Sequence, residues 1–282
     1  MEKFSYSKIS MFMECPKKFY WRYVEHLRPK KKSPALALGS CMAYSLATFR
    51  RTGSQDEARQ AFVDRWEEEG RILQKTKDDD PLRSVARGLE ILSEYMQTFP
   101  DDPKNFIRPE VSFEDEIAPG ILFRGRLDGV VRLDDGSVAV NEDKTASQWG
   151  DSYFRRLHGS FQIMWYLWIA KKLGLFSLDG KATPKCLVRV IYIHRERYRF
   201  PSDLIIKSGK QVDDSFNDLM NWVKLIQRCV SENHFPRGDA NACLKYGGCD
   251  YLPLRDASRR LKDSLIKYEF ERKDGDEDEN GS

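Results

Sequence analysis

The stretch from Phe123 to Ser147 constrains this 282-residue chain more than any other. Residues 122–133 predict a strand, the tetrapeptide DDGS a tight turn in which Gly136 supplies a permissive backbone, and residues 138–144 the returning strand. Together they predict a β-hairpin. Because side chains alternate along a strand, one face of the second strand combines two valines with two charged groups: Val138, Val140, Glu142 and Lys144.

Charged side chains that follow valines onto a buried face need partners, since an unpaired buried charge costs about several kcal/mol. Asp128, on the first strand of the hairpin, adds a second carboxylate beside Glu142. Mg²⁺ and Mn²⁺ take oxygen ligands, usually one or two carboxylates together with water and phosphate oxygens. The pattern therefore indicates metal-assisted hydrolysis. The alternative is a solvent-facing hairpin whose charges have no chemical role.

An aspartate followed by Glu-x-Lys on the next strand resembles the PD-(D/E)xK nuclease superfamily, with Asp128 and Glu142-Asp143-Lys144 as the core motif. The resemblance implies that Asp128, Glu142 and the backbone carbonyl of Asp143 hold Mg²⁺ or Mn²⁺. It also implies that Lys144 orients the attacking water or helps to deprotonate it. A lysine near the metal offsets charge that builds up in the transition state.

Composition indicates a folded protein, with 40% hydrophobic and 12% aromatic residues. The chain has no run of about 18 apolar residues, and its start, MEKFSYSK, lacks the apolar segment of a signal peptide. We therefore expect a soluble cytoplasmic protein without a membrane partner. Six cysteines at irregular spacing argue against a disulfide scaffold and leave metal ligation or ordinary buried thiols.

The net charge of +3 is unevenly placed. Residues 1–32 carry nine basic and three acidic side chains, whereas residues 274–282 carry five acids and no base. A basic face suits a phosphate backbone, so the sequence predicts DNA as a partner. The alternative for the basic run is a solvated helix face. Residues 271–282 are expected to form a disordered acidic tail.

The N-terminal segment predicts a helix that begins at Ser5 or Ser7, an interruption at Cys15-Pro16 and a second helix. The order of serine, Cys-Pro, Phe19 with following aromatic residues and then Leu27-x-Pro29 resembles the RecB-like nucleases. That family includes AddB-type helicase-nuclease subunits, CRISPR-associated RecB-like exonucleases and phage relatives. The resemblance implies an α/β, restriction-endonuclease-like core in which helices flank a mixed sheet, preceded by a helical region.

Two further segments match this family in order. Residues 39–43 align with its Gly-x-x-x-His segment, but Ala43 stands where relatives have a metal-binding histidine. Gln162 and Tyr166, four residues apart in a helix predicted over residues 153–172, match a Gln-x-x-x-Tyr pair that lines the active site or the DNA path. The alternative is a helix packed on the sheet in which Gln162 is incidental.

The remaining acids and bases are given simpler interpretations. Glu110 and Glu114 lie on a strand predicted over residues 107–117 and are expected to face solvent rather than a metal, and His158 is expected on the surface. Residues 186–200 predict another strand, whose end brings basic side chains that could meet phosphate: Arg195, Arg197 and Arg199.

The cysteines near the chain ends resemble the iron–sulfur ligands of some RecB-like proteins. Cys15, Cys243 and Cys249 match in position, but Arg255 occupies the place of the fourth ligand. Four thiolates normally hold a [4Fe-4S] cluster. Three leave a site that is labile, completed by another ligand or lost. Cys41, Cys186 and Cys229 lie outside the family's positions, and reduced, partly buried thiols are the alternative.

Taken together, these features predict one nuclease domain over residues 1–270. Residues 1–100 are expected to be mainly helical, 105–235 to form the core, and 236–270 to carry the cysteines. The expected function is a metal-dependent DNA exonuclease acting on single strands or ends in recombination, repair, replication or defence, with a helicase or recombination protein as a partner. The alternatives are a nuclease-derived DNA-binding or complex-assembly module, favoured by Ala43 and Arg255, and a restriction-type endonuclease.

Overall fold

A computed structural model describes residues 1–31, 33–70, 83–148, 150–176, 182–194, 198–244 and 248–273. Arg195, Arg197 and residues 274–282 of the expected acidic tail lie outside the described residues. The helices are α1 (Tyr6–Glu14), α2 (Pro16–Phe19, continued by a π-helical turn Tyr20–Val24), α3 (Pro34–Thr52), α4 (Gln55–Gly70), α5 (Val85–Thr98), α6 (Asp102–Asn105), α7 (Asp151–His158), α8 (Phe161–Lys172), α9 (Gly209–Ser231), α10 (Ala240–Leu244), α11 (Leu252–Asp256) and α12 (Arg259–Glu269). The strands are β1 (Glu2–Phe4), β2 (Leu27–Pro29), β3 (Phe106–Ala118), β4 (Ile121–Arg132), β5 (Val138–Ala146), β6 (Lys185–Ile193), β7 (Tyr198–Arg199), β8 (Ser202–Ile206) and β9 (Phe270–Arg272).

The chain packs as two compact units, taken over their described residues. The first unit comprises Met1–Lys32, Glu114–Arg124 and Asp218–Asn280, and the second comprises Ser33–Phe113 and Gly125–Asn217. The single-domain assignment of residues 1–270 stays a prediction. Within the described residues, no helix combines the length and the apolar character needed to cross a membrane.

The predicted hairpin is present as β4 and β5, which pair antiparallel with Gly129 opposite Asn141 and Arg132 opposite Val138. Gly136, in the turn between them, has a φ of +78°, a left-handed conformation that glycine adopts without steric cost. The strands are hydrogen-bonded in the order β1-β4-β5-β6-β7, and β3 and β8 pair with β4 and β6. Parallel and antiparallel pairs both occur, so the prediction of a mixed sheet is confirmed.

The connection from β5 to β6 is a helical crossover, as parallel strands require. It contains α7 and α8, so the prediction of one continuous helix over residues 153–172 is wrong. Gly159 ends α7 and Ser160 begins α8 with extended backbone angles. Glycine is a poor helix former and serine is a favoured first residue, which accounts for the break.

The first unit joins the N-terminal and C-terminal parts of the chain. Ser5 begins α1, as one of the two predicted caps, and its Oγ accepts a hydrogen bond from the Lys8 backbone N–H at 3.1 Å. β2 pairs antiparallel with β9, and the Tyr251 hydroxyl donates to the Leu27 carbonyl at 2.8 Å. An apolar cluster forms around this pair from Leu27, Tyr251, Leu254 and Phe270.

The second unit has a core in which α3, α4 and α5 pack together with Ile191 of β6. Gly88 of α5 is in close contact with Phe62 of α4, because a Cβ atom at residue 88 would lie 2.1 Å from the Phe62 Cζ atom. Phe62 is fully buried and stacks on Trp66. This part of the core therefore has no room for a methyl group.

We expect Gly88→Ala to lower the free energy of unfolding. Overpacking costs about 1–3 kcal/mol, whereas alanine gains roughly 0.5–1 kcal/mol over glycine inside a helix. Urea unfolding measures the difference. In the background Phe62→Leu, the same alanine substitution should cost less, and equal costs in both backgrounds would contradict the contact.

Candidate active site

The two predicted carboxylates lie side by side on the hairpin. Gly129 pairs with Asn141, so the next positions along the two strands are Asp128 and Glu142. The backbone N–H of Asp143 donates to Asp128 Oδ2 at 2.8 Å, which fixes the Asp128 carboxylate against β5. Asp128 is half-buried, and Glu142 is only 3% exposed.

Glu142, Lys144 and Gln162 form a closed triangle of hydrogen bonds. The Lys144 ammonium donates to Glu142 Oε1 and also to Gln162 Oε1, the latter at 2.8 Å. The Gln162 amide nitrogen donates to Glu142 Oε1 at 2.8 Å. Gln162 is therefore not incidental to the packing of α8, because it contacts both charged residues of the strand.

Burial of α8 positions Gln162. This helix is apolar on most of its surface, and the Trp165 indole N–H donates to the Ser215 carbonyl of α9 at 3.0 Å. Tyr166 is 9% exposed and packs its ring edge against Phe113, 6.1 Å between centroids. Burial, followed by the nearby Glu142 carboxylate, raises the pKa of Tyr166.

The pKa values of Asp128 and Glu142 are both raised, so nearby positive charge does not fully compensate these buried carboxylates. Burial and then the Glu142 carboxylate raise the pKa of Asp128 well above its usual range. Burial also raises the pKa of Glu142, outweighing the Lys144 ammonium. For Lys144, burial acts to lower the pKa, but the Glu142 carboxylate outweighs it and the pKa rises.

The residues present fit a divalent cation. Glu142 Oε2 is buried and has no hydrogen-bond partner among the described residues, a state that costs about 1–3 kcal/mol for a polar group. A cation between Glu142 and Asp128 would satisfy that oxygen and neutralise both carboxylates. The described residues contain no group of three or more His, Cys, Asp or Glu side chains arranged to hold a metal. A magnesium site needs only one or two carboxylates with additional oxygens.

A buried charge network that was not predicted from the sequence lies on the opposite face of β5 and begins with Asp143 and Arg50. The Asp143 carboxylate points away from Glu142 and accepts two hydrogen bonds from Arg50 of α3, at 2.5 and 3.1 Å. Burial alone would raise the pKa of Asp143, but the Arg50 guanidinium outweighs it and lowers the pKa. Since Glu142 contacts α8 and Asp143 contacts α3, these helices lie on opposite faces of the strand, which confirms the prediction that helices flank the sheet.

The network extends from Arg50 to a second arginine and a second aspartate. Arg189 of β6 donates to both Asp102 oxygens at 2.6 Å, and Arg50 Nε lies 3.4 Å from Asp102 Oδ2. The Tyr95 hydroxyl donates to Asp102 Oδ2 at 3.0 Å and accepts from both arginines. Fully buried arginine is rare without such partners. Arg189 is an isolated charge in the apolar segment CLVRVIYI, whereas Arg50, Asp102 and Asp143 each have a charged neighbour in the sequence.

Ala43 lies on the face of α3 that is turned toward β5. A Cβ atom at Gly39 would lie 3.1 Å from Thr145 Oγ1, and Arg50 contacts Asp143. Residue 43 follows residue 39 by four positions and precedes residue 50 by seven, so the three share one helical face. Ala43 therefore shares the helical face that contacts Asp143 and Thr145 of β5, and alanine has no ligand atom.

The other acids and histidines considered from sequence have ordinary partners. Glu110 binds Arg126 at 2.8 Å with both side chains less than one quarter exposed, so the expectation that Glu110 faces solvent is wrong. Glu114 is exposed and pairs with Lys3 at 3.0 Å. His158 is on the surface, 2.7 Å from Asp203.

The cysteines divide between the two units. Cys15, Cys243 and Cys249 line a common pocket in the first unit, together with Arg255. Cys41 and Cys186 are fully buried in the second unit. Cys229 is half-buried on α9.

For the metal-dependent nuclease expected from the sequence, Gln162→Leu should slow DNA cleavage by about 10- to 100-fold, the usual cost of losing a group that orients a metal ligand. The substitution removes both amide contacts while keeping the side chain's bulk. Initial rates on labelled DNA measure the effect. The control is Gln60→Leu on the exposed surface of α4. Equal rates for the two variants would show that Gln162 has only a packing role.

Comparison with protein-family models identifies the family of this chain. A solved structure described as the crystal structure of SSO0001 is similar at 14% identity, covering 77% of this chain and 84% of the other, with a TM-score of 0.31. A search of curated proteins finds no match. The model of the PD-(D/E)XK nuclease superfamily matches residues 3–254, which include the hairpin and α8. The chain therefore belongs to the PD-(D/E)XK nuclease superfamily.

Proposed function

We propose that this protein is a metal-dependent deoxyribonuclease whose active site is formed by Asp128, Glu142, Lys144, Gln162 and Tyr166. The single observation that carries the proposal is the Glu142–Lys144–Gln162 triangle. Glu142 Oε1 accepts hydrogen bonds within it, whereas Glu142 Oε2 has no partner among the described residues and is available to a cation. Membership of the nuclease superfamily supports the same chemistry.

Asp128, Glu142 and the backbone carbonyl of Asp143 would hold Mg²⁺ or Mn²⁺. When bound, such an ion polarises a phosphoryl oxygen, lowers the pKa of a bound water and stabilises charge in the transition state. The Asp143 backbone N–H keeps Asp128 close to Glu142. The Asp143 side chain, held by Arg50 on the other face, keeps this part of β5 in place.

Lys144 has a donor available for the reaction. An ammonium has three N–H donors, and the described residues accept two of them, at Glu142 and Gln162. The third can donate to a water or to a phosphate oxygen. Lys144 thereby orients the attacking water and offsets the developing negative charge, while Gln162 holds the ammonium in position.

The finer assignment is an exonuclease of the RecB-like type that acts on single-stranded DNA or DNA ends in recombination, repair, replication or defence. It is supported by the N-terminal motif from Ser5 to Pro29 and by the Gln162-Tyr166 pair in the order typical of that family. A helicase or recombination protein is the partner that such a nuclease would have.

Linear and circular DNA, each single-stranded and double-stranded, test this proposal when incubated with Mg²⁺ or Mn²⁺. An exonuclease degrades the linear forms and spares the circles. Discrete cuts in closed circular duplex would instead indicate a restriction-type endonuclease. Salt-dependent binding without cleavage under any condition would overturn the nuclease proposal and indicate a DNA-binding module.

Ala43 is the observation that favours the binding module, because the histidine ligand is absent. Because the family resemblance places a metal-binding histidine at residue 43, we expect Ala43→His to tighten Mn²⁺ binding by about tenfold, equivalent to roughly 1.4 kcal/mol. Calorimetric titration of Mn²⁺ without DNA measures it. The control is Tyr44→His on the exposed side of α3. Equal affinities for the two variants would mean that residue 43 does not reach the metal.

A further inference from the structure

The pocket around Cys15, Cys243 and Cys249 in the first unit is a small cavity of about 30 Å³. Two of its thiols, those of Cys15 and Cys243, have polar partners. The Gly238 backbone N–H donates to Cys15 Sγ at 3.2 Å, and the Arg255 guanidinium lies 3.5 Å from Cys243 Sγ. The guanidinium therefore fills the side of the pocket where the family resemblance would place a fourth thiolate.

A four-thiolate cluster does not fit these residues. A guanidinium has five N–H donors and no lone pair to offer a metal. Within the described residues, the three cysteines do not form a group that could hold a metal ion. Arg255 also binds Asp256 through two of its nitrogens, at 2.9 and 3.0 Å, which fixes its position.

Four cationic side chains line the pocket, and two of them, Lys18 and Arg255, are closely paired with carboxylates. Its wall includes Lys17, Lys18, Arg237 and Arg255. Lys18 is paired with Glu14 at 2.9 Å, and Asp256 contacts Arg255 and, at 3.9 Å, Arg237. Lys17 has no carboxylate within salt-bridge distance among the described residues; its ammonium lies 3.9 Å from the centroid of the Tyr20 ring.

Lys17 lies near other cations, and the Glu25 carboxylate partly offsets their charge. Burial, followed by the charges of Lys262 and Arg237, lowers the pKa of Lys17. Like charges held together around a cavity are stabilised when an anion binds between them. A phosphate group combines the negative charge and the acceptor oxygens that lysine and arginine recognise.

We propose that this pocket is an anion site in which Lys17 and Arg237 bind a backbone phosphate of a nucleic acid, with Arg255 replacing the metal cluster as the group that organises the thiols. The identity of the ligand rests on the proposed action on DNA. The fold of this unit does not depend on Lys17 or Arg237, because β2 and β9 pair and the cluster around Leu27 and Tyr251 joins the N-terminal and C-terminal segments.

The test uses the full chain with Glu142→Gln, so that DNA is bound without being degraded. Fluorescence anisotropy with labelled oligothymidylate is followed as salt is raised. Lys17→Ala and Arg237→Ala should each weaken binding roughly fivefold and lower the salt slope by about 0.7, the value for one phosphate on a single strand. Controls in the same unit are Lys3→Ala and Arg228→Ala, whose side chains are exposed.

Two outcomes would overturn the proposal. If Lys17→Ala and Arg237→Ala bind DNA as their controls do, yet inorganic phosphate still binds the wild type in calorimetry, the site takes the free ion and not a nucleic acid. If anaerobically purified wild type carries iron and sulfide, with broad absorbance near about 400 nm, the pocket holds a cluster. Neither outcome depends on cleavage, so failure of the nuclease proposal is recognised separately.

Discussion

Glu142→Gln is expected to reduce metal-dependent DNA cleavage by about a thousandfold, equivalent to roughly 4 kcal/mol of lost transition-state stabilisation. The amide keeps the shape of the side chain but loses the negative charge and the unpartnered oxygen that a cation would bind. Initial rates on end-labelled single-stranded DNA with Mn²⁺ measure the loss. Thermal unfolding checks that the variant is folded, because the substitution also removes the negative charge that pairs with Lys144.

Glu110→Gln is the matched control for this substitution. Glu110 lies on β3, is also partly buried and pairs with Arg126, but it is not part of the hydrogen-bond triangle. We expect its cleavage rate to stay within about twofold of the wild type, since its contact is an ordinary ion pair. A similar loss of rate in both variants would mean that the effect is general destabilisation and not metal binding.

Arg50→Ala is expected to lower the free energy of unfolding of the second unit by about 3–5 kcal/mol, the range for removing one partner of a buried ion pair. Arg50 is 1% exposed in its side chain, and its loss leaves Asp143 without the two hydrogen bonds that hold it. Asp102 would keep Arg189, so the cost falls mainly on Asp143. Urea unfolding followed by circular dichroism measures the shift in midpoint.

Arg51→Ala provides the control, because Arg51 is the adjacent residue and is exposed. Arg50→Lys separates charge from geometry, since lysine keeps the charge but cannot form the bidentate contact. We expect Arg50→Lys to fall between the wild type and Arg50→Ala. If Arg50→Ala unfolds within about 1 kcal/mol of Arg51→Ala, the network does not stabilise the unit as a buried ion pair would.

Local patterns in the sequence were sufficient to predict the hairpin and which side chains lie on each face of β5. Alternation placed Glu142 and Lys144 on one face and Asp143 on the other, and the structure has them there. Helical spacing placed Gln162 on α8, and its contact with Lys144 follows from how α8 packs on the sheet. These predictions succeeded because each depends on the geometry of one element or of two consecutive strands.

The charge network could not be predicted, because its members come from elements far apart in the chain. Arg50 and Arg189 lie on α3 and β6, and neither sequence segment indicates which acid each would bind. Whether a charged residue is buried depends on tertiary packing, which periodicity does not report. The break at Gly159 was missed for a different reason: aromatic residues occur on both sides of it, while the backbone preferences of glycine and serine ended one helix and began the next.

The most direct test of the proposed active site is the rate at which Lys144→Ala cleaves linear single-stranded DNA in the presence of Mn²⁺. Lys144 contacts both Glu142 and Gln162, and its loss removes the donor that would orient water. The control is Lys210→Ala, whose side chain is 83% exposed on α9. We predict cleavage by the wild type and by Lys210→Ala, and a rate at least about a hundredfold lower for Lys144→Ala. Equal cleavage by the two lysine variants, or none by the wild type with either metal, would contradict the assignment.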